Sequence, residues 1–128
     1  MNIKKEVEDY KKTHSQDSYN KLLIKIFSNL DDILILPSKI RKSNDGFDLK
    51  NILDENGGAY LIAYTDEEYI ENSDEAFINV SIRGIIDKVL SDDICLGICI
   101  NPDLEINDSN MTKQCIVPKE HIIKILNS

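Results

Sequence analysis

Apolar residues recur at helical spacing along the first thirty positions of the chain. Ile3, Val7 and Tyr10 follow an i, i+4, i+7 pattern, which the polar segment 13–15 interrupts. A second, longer stripe follows, and such spacing is typical of an amphipathic helix that faces a core. It consists of Tyr19, Leu22, Leu23, Ile26, Phe27 and Leu30. The pattern therefore predicts two consecutive helices, of which the second closes by Asp32.

After these helices the apolar residues no longer follow a helical spacing and instead form short runs separated by turn residues. An Ile-Leu-Ile-Leu run ends at Pro37, which has no N–H to donate, so a buried strand is predicted to stop there. Segments 47–53 and 59–64 are interpreted as the two strands of a hairpin. The Asn-Gly-Gly sequence between them supplies the positive φ that a tight turn needs. Positions 38–45 are predicted to form a loop.

The second half alternates extended segments with short helices. Thr65 and Glu68 match a capping box, in which each side chain accepts a hydrogen bond from the other residue's backbone, so a short helix is predicted to begin there. An extended segment at 77–80 leads to Ser81, which is predicted to cap a helix over 82–90. The residues of that helix predicted to face inward are Ile82, Ile85, Ile86 and Val89.

The last third of the chain continues the alternation. Strands are predicted at 94–100 and 115–117, and Pro118 suits the first position of a closing helix that runs through Leu126. Helices first, then strands interleaved with short helices, indicate the α+β class. We expect a single compact domain over 1–128, with N-terminal helices, a mixed β-sheet with short interleaved helices, and a C-terminal helix.

Composition and charge narrow the classes of function. The chain has 128 residues, of which 41% are hydrophobic, and no run approaches the ~20 apolar residues of a membrane-spanning helix. The N-terminus lacks the apolar stretch of a signal peptide, so we expect a cytoplasmic protein with no membrane partner. With 23 acidic against 15 basic residues the net charge is −8, which disfavours nucleic-acid binding.

An acidic surface suits either a basic protein partner or solubility alone. The densest acidic stretch follows the hairpin, and acidic residues in a first helical turn also favour the positive end of a helix. Its members outside the capping box are candidate partner-binding residues: Asp66, Glu67, Glu71, Asp74 and Glu75. The oligomeric state does not follow from the sequence.

Three cysteines and two histidines are the remaining candidates for chemistry. On a strand, Cys95 and Cys99 point to one face but lie about 13 Å apart, too far for a disulfide or a shared zinc ion. We interpret them and Cys115 as small buried hydrophobic residues, and we expect no metal and no cofactor. His14 and His121 belong to no recognisable catalytic motif, although a cysteine–histidine site across the fold stays open as an alternative.

Several motifs, taken in order, resemble a known family. They are Leu-Asp-Asp-Ile-Leu-Ile-Leu-Pro at 30–37, Tyr-Leu-Ile-Ala-Tyr-Thr-Asp-Glu-Glu at 60–68, Gly-Ile-Cys-Ile-Asn-Pro at 97–102 and the Val-Pro pair at 117–118. Over 19–126 the chain is similar to the N-terminal domain of the SseB family, bacterial proteins linked to enhanced serine sensitivity. Tyr64 and Asp66 stand where phenylalanine and serine are usual in that family.

The resemblance implies an α+β domain and supplies no catalytic residues. It also implies structural roles for Thr65 as a helix cap and for Asn101 and Pro102 as the terminator of a strand. The main functional hypothesis is therefore a non-enzymatic, SseB-like protein-interaction module. One alternative is an immunity protein that neutralises a basic toxin nuclease, for which electrostatic steering would be useful. Another is a small-molecule-binding domain or enzyme with a cysteine or histidine site.

Overall fold

The computed structural model describes residues 3–40, 47–53, 56–69, 76–102 and 114–127. Within these ranges the chain forms helices and strands in a mixed order, which confirms the α+β class. The elements are α1 (Lys4–Thr13), α2 (Gln16–Ser28), β1 (Ile33–Ile40), β2 (Phe47–Leu49), β3 (Asn51–Leu53), β4 (Ala59–Ala63), β5 (Ala76–Ser81), α3 (Ile82–Ser91), β6 (Cys95–Ile100), β7 (Cys115–Pro118) and α4 (Lys119–Leu126).

Two serine caps fix where α2 and α3 begin. The Ser15 hydroxyl accepts a hydrogen bond from the Ser18 N–H at 3.1 Å, and the Ser81 hydroxyl accepts one from the Gly84 N–H at 3.1 Å. Each satisfies a backbone donor that the first turn of a helix leaves unpaired. His14 separates α1 from α2 in a left-handed conformation with φ of 49°. The predicted cap at Ser81 is confirmed.

The strands form two sheets. In the first the order is β2-β1-β5 with antiparallel neighbours, and in the second it is β3-β4-β6-β7. In the second sheet β3 and β4 form the predicted hairpin, and Gly57, at φ of 80°, lies in its turn. β4 and β6 run parallel, with α3 on the connection between them, and β7 returns antiparallel to β6.

Backbone hydrogen bonds join the two sheets. Ile35 of β1 and Tyr64 exchange both of their backbone hydrogen bonds, at 2.9 and 2.7 Å. The N–H of Lys50, between β2 and β3, donates to the Pro37 carbonyl at 3.1 Å, and its own carbonyl accepts from the Ile62 N–H at 3.2 Å. The segment predicted as one strand over 47–53 is therefore divided at Lys50, with one half in each sheet.

The predicted end of the first strand at Pro37 is wrong, because β1 continues to Ile40. Within a strand the N–H and C=O of one residue point to the same edge. The carbonyl of Pro37 faces Lys50, so its nitrogen also faces that edge and not β5. The β1–β5 ladder therefore loses no hydrogen bond at Pro37, and the strand continues beyond the proline. Residues 38–40 of the predicted loop are strand, and 41–46 lie outside the described residues.

The main core lies between the helices and one face of the sheets. All four residues of the stripe predicted for α3 are buried, which confirms that prediction. The core also contains Ile3, Val7, Tyr19, Leu22, Ile26, Leu34, Leu36, Leu61, Ala63, Cys95, Ile98, Ile100, Cys115, Val117 and Ile122. A smaller cluster of Ile35, Ile62 and Tyr64, with Ile52 packed against it, lies on the opposite face.

The start of the closing helix differs from the prediction. Pro118 is the last residue of β7 and precedes α4, so the closing helix begins at Lys119 and not at the proline. No helix in the described part of the chain has the length and apolar character needed to cross a membrane.

Candidate functional site

The carboxyl ends of β4 and β6 meet at one edge of the second sheet. The two strands are parallel neighbours, and Ala63 near the end of one pairs with Ile100 at the end of the other. Ligands in open sheets commonly bind outside the carboxyl ends of parallel strands. Thr65, from the predicted capping box, follows β4, and Asn101, from the predicted strand terminator, follows β6. The two residues therefore lie together at this edge.

Asn101 is the structural centre of this edge. It is 1% exposed and adopts a left-handed conformation with φ of 50°, which asparagine tolerates better than most residues. Its side-chain Oδ1 accepts from the Thr65 N–H at 2.9 Å, and its Nδ2 donates to the Thr65 hydroxyl at 3.0 Å. Its backbone N–H donates to the Ala63 carbonyl at 2.8 Å, and its carbonyl accepts from the Lys11 ammonium. Asn101 thus ties together the ends of both strands and α1.

The capping box predicted between Thr65 and Glu68 is wrong. The Thr65 N–H donates to Asn101, and the Glu68 N–H donates to the Asp66 carboxylate at 3.1 Å. An aspartate commonly binds a backbone N–H two residues ahead, and this local contact competes with a helix. The described part of the segment forms a 3₁₀ turn over Glu67–Tyr69, and the rest of the predicted helix, 70–71, lies outside the described residues.

Lys4 holds the acidic residues of this turn. Its Nζ lies 3.0 Å from the Asp66 carboxylate and 2.7 Å from the Glu68 carboxylate. Hydrogen bonds to Glu68 and then to Asp66 raise the pKa of Lys4 well above its usual range. Lys4 and Lys11 lie seven residues apart on α1, so they share a face of the helix, and they fasten it to the turn and to Asn101 respectively.

Asp66, Glu67 and Glu68, which we name the acidic turn, remain open to solvent in part. The Glu68 side chain is 58% exposed, that of Asp66 is 29% exposed, and Glu67 is exposed. The other predicted partner-binding residues, Glu71, Asp74 and Glu75, lie outside the described residues. The sequence missed the two lysines, because a contact such as Lys4–Glu68 spans 64 residues and leaves no local pattern.

The cysteines are free and buried, as predicted. However, Cys95 and Cys99 do not share a face of β6 as the sequence predicted. Leu96 is an extra residue between the pairs Ala59–Cys95 and Tyr60–Gly97, and such a bulge shifts the alternation of side chains. Cys95 therefore packs in the main core, whereas Cys99 pairs with Ile62, which belongs to the opposite cluster.

Burial disfavours ionisation of the thiols of Cys99 in β6 and Cys115 in β7. Burial raises the pKa of Cys99 to about 12, and it raises the pKa of Cys115 far above the usual thiol range. The thiolate is the nucleophile and the metal ligand, and the raised pKa keeps both thiols in the protonated form near neutral pH. Within the described ranges, no three His, Cys, Asp or Glu side chains lie close enough together to hold a metal ion.

His121 has a specific partner that the sequence did not reveal. Its Nδ1 lies 2.6 Å from the Tyr19 hydroxyl, and the two rings meet edge to face with centroids 5.5 Å apart. The Tyr19 ring also packs on Tyr10 at 5.1 Å, and Tyr10 packs on His14 at 4.7 Å. Burial raises the pKa of Tyr19 above its usual range. This row of rings joins α1, α2 and α4 and is a packing feature of the helical layer.

No protein-family model matches the chain, and no curated protein or solved structure is significantly similar to it.

Proposed function

We propose that the chain is a non-enzymatic, SseB-like protein-interaction module that acts in the cytoplasm and binds a basic protein partner through the acidic turn. One observation carries this proposal. The acidic turn is held in place by Lys4, while its Glu67 and Glu68 carboxylates stay accessible. A carboxylate whose backbone is already ordered loses less freedom when a partner binds, so its affinity for a basic group is greater.

The charge of the whole chain supports the same partner chemistry. A net charge of −8 over 128 residues attracts basic molecules and speeds their encounter with the surface. Lys4 neutralises part of the local negative charge, which leaves Glu67 as the acidic-turn residue without an ion pair to Lys4. The buried thiols and the Tyr19–His121 contact argue against the alternative of an enzyme with a cysteine or histidine site.

The test is affinity purification of the tagged chain from cells that express it naturally, with quantitative mass spectrometry. The matched variants are Asp66→Asn with Glu67→Gln, and a control, Glu8→Gln with Asp87→Asn, which removes the same charge from exposed positions on α1 and α3. An asparagine at 66 still accepts a hydrogen bond from the Glu68 N–H, and Lys4 keeps its ion pair with Glu68, so two of the contacts that hold the turn remain. We expect one basic protein to be enriched by the wild-type chain and the control, and lost from the acidic-turn variant.

Failure to enrich any protein in repeated purifications overturns the proposal, as does a partner that both variants retain equally. If the partner is a basic nuclease whose activity the chain inhibits, the role narrows to that of an immunity protein. An unrelated basic partner assigns the chain to adaptor or regulatory proteins instead.

A further inference from the structure

The turn between β3 and β4 contains Asn56 and Gly57, the only Asn-Gly pair in the chain. Both residues are exposed. Gly57 has a φ of 80°, and no atom lies within 4 Å of the position that a Cβ would take. Glycine adopts such a φ without steric cost, which suits a tight turn. The same pair also places a side-chain amide next to an unshielded backbone nitrogen.

An asparagine side chain can react with the backbone nitrogen of the residue that follows it. The two groups belong to neighbouring residues, so the attack is intramolecular and needs no third group to bring them together. The nitrogen is a weak nucleophile until it loses its proton, and the rate of attack therefore rises with pH. A side chain on the following residue hinders the approach, and glycine has none.

The structure leaves the Gly57 nitrogen available for this reaction. Among the described residues, no hydrogen bond from the Gly57 N–H is found. The ladder between β3 and β4 ends at the pair Leu53–Ala59, so the turn lies beyond its last rung. A nitrogen held in a ladder must first give up its hydrogen bond, which raises the barrier to attack. Gly57 does not bear this cost.

Three other described asparagines are protected in ways that Gly57 does not protect Asn56. Asn101 is buried and precedes a proline, whose nitrogen has no proton to lose. The side-chain amides of Asn29 and Asn51 donate to backbone carbonyls at 2.8 and 3.3 Å. Asn51 also precedes Ile52, a β-branched residue within β3. These differences single out Asn56.

We propose that Asn56 is a site of spontaneous modification, at which the folded chain loses the side-chain amide and accumulates aspartate and isoaspartate. The Gly57 nitrogen gives its proton to a base in the solvent and forms a bond to the side-chain carbonyl carbon of Asn56. The bond from that carbon to the amide nitrogen breaks, and the leaving nitrogen takes a proton from water and departs as ammonia.

Water then opens the cyclic imide that has formed. Breaking the bond between the side-chain carbonyl and the Gly57 nitrogen gives aspartate, whereas breaking the original peptide bond gives isoaspartate, whose backbone runs through the former side chain. Nothing is oxidised or reduced, and water and ammonia are the only other reactant and product. One carboxylate is added, so the net charge of the chain changes from −8 to −9.

The modified chain should keep its fold. Because the ladder ends at Leu53–Ala59, the extra backbone carbon of isoaspartate lengthens the turn and leaves the paired residues in register. Exposed loop tips tolerate changes of this size. The product should therefore accumulate in folded molecules as they age. This inference goes beyond the proposed function and does not depend on the partner that the acidic turn binds.

The test incubates the purified chain under native conditions near neutral pH and follows it by tandem mass spectrometry. The mass increase that accompanies conversion of an amide to an acid is assigned to its residue, and chromatography separates the aspartate and isoaspartate peptides. The reference is the free peptide Asp-Glu-Asn-Gly-Gly-Ala, which has the sequence of 54–59. The matched variant is Asn56→Gln, which keeps the amide but must form a larger ring. Asn51 is the control within the same molecule.

We expect Asn56 in the folded chain to react within about tenfold of the rate of the free peptide, which is a difference in barrier of at most about 1.4 kcal/mol. Asn51 should react at least about tenfold more slowly than Asn56. Both products should appear at 56, the rate should rise with pH, and Asn56→Gln should stay unmodified. Far-ultraviolet circular dichroism before and after incubation should give the same spectrum.

Each of the opposite results overturns the inference. A folded chain that reacts more than about tenfold more slowly than the peptide would mean that the turn protects Asn56. Equal rates at Asn51 and Asn56 would mean that the exposed glycine gives no advantage. Aspartate without isoaspartate would mean direct hydrolysis of the amide without attack by the Gly57 nitrogen. Loss of the native spectrum as the product forms would mean that unfolded molecules are the ones that react.

Discussion

The side chain of Asn101 hydrogen-bonds Thr65 in both directions across 36 positions of sequence. Its side-chain oxygen accepts a hydrogen bond from the Thr65 backbone N–H, and its amide nitrogen donates one to the Thr65 hydroxyl. Both residues are buried, so neither group can turn to water if the other is removed. The pair therefore fixes the position at which β4 passes into the acidic turn.

Asn101→Ala should lower the free energy of unfolding by about 2–4 kcal/mol, because it removes both hydrogen bonds between its side chain and the buried Thr65. The alanine must also adopt the left-handed backbone conformation, which it tolerates less well. Urea unfolding followed by circular dichroism measures the change. Asn127→Ala, at the exposed end of α4, should change the value by less than about 0.5 kcal/mol. A loss at Asn101 as small as this would contradict the assigned role.

Gly97 should be intolerant of any side chain. A Cβ there would overlap the Val117 carbonyl and lie 2.9 Å from the Pro118 Cα, both of them backbone atoms of β7. We expect Gly97→Ala to cost more than about 3 kcal/mol, since the β6–β7 ladder must move to admit the methyl group. Thermal unfolding gives the result.

Gly57 is the matched control, because it has a positive φ of 80° but no atom lies within 4 Å of the position that a Cβ would take. Gly57→Ala should cost only about 1–2 kcal/mol, the cost of the left-handed conformation alone. Equal losses at the two glycines would show that steric overlap with β7 is unimportant.

Stability should fall in alkaline solution because of the buried thiols. Burial raises the pKa of Cys99 from 9.0 to about 12, so the unfolded thiol ionises while the folded one stays protonated. The contribution of this thiol is therefore complete below pH 9 and is lost as the pH rises from 9 towards 12. The expected slope is about −1.4 kcal/mol per pH unit for the one group.

Urea unfolding at several pH values between 8 and 11 measures this slope. Cys99→Ala should make it shallower by the share of that one thiol, while the tyrosines and lysines contribute equally in both proteins. Unchanged slopes in the two proteins would mean that Cys99 is more accessible than its position in the sheet indicates.

Tyr19→Phe should destabilise the helical layer by about 1 kcal/mol. The substitution keeps the ring packing but removes the hydroxyl that lies 2.6 Å from His121 Nδ1. Tyr10→Phe, in the neighbouring ring of the same row, should cost less than about 0.5 kcal/mol. If the two variants unfold at the same denaturant concentration, the contact with His121 contributes no stability.

Local patterns predicted the helices well, and for a physical reason. The α3 stripe and the Ser81 cap depend on residues within one or two turns of each other, so the sequence contains all the information needed. The hairpin turn at Gly57 is equally local. By contrast, Pro37 was misjudged because the edge of β1 that its nitrogen faces depends on the position of Lys50 and β4, which no nearby residue specifies.

The candidate site was predicted only in part, because its contacts are long-range. The sequence identified Thr65 and Asn101 separately, and only the parallel pairing of β4 and β6 brings them together. The Thr65–Glu68 capping pattern was misleading, since Asn101 and Asp66 occupy the two donors that a cap would use. Lys4 has no pattern in the sequence that points towards the acidic turn.

The backbone hydrogen bonds of Lys50 couple the unfolding of the two sheets. The Lys50 N–H donates a hydrogen bond to Pro37 in the first sheet, and the Lys50 carbonyl accepts one from Ile62 in the second. If either sheet opens, this segment moves and the other sheet loses a hydrogen bond, so the opening of one sheet destabilises its neighbour. The β structure should therefore unfold cooperatively in a single transition, and slow amide exchange should disappear from both sheets together as denaturant is added.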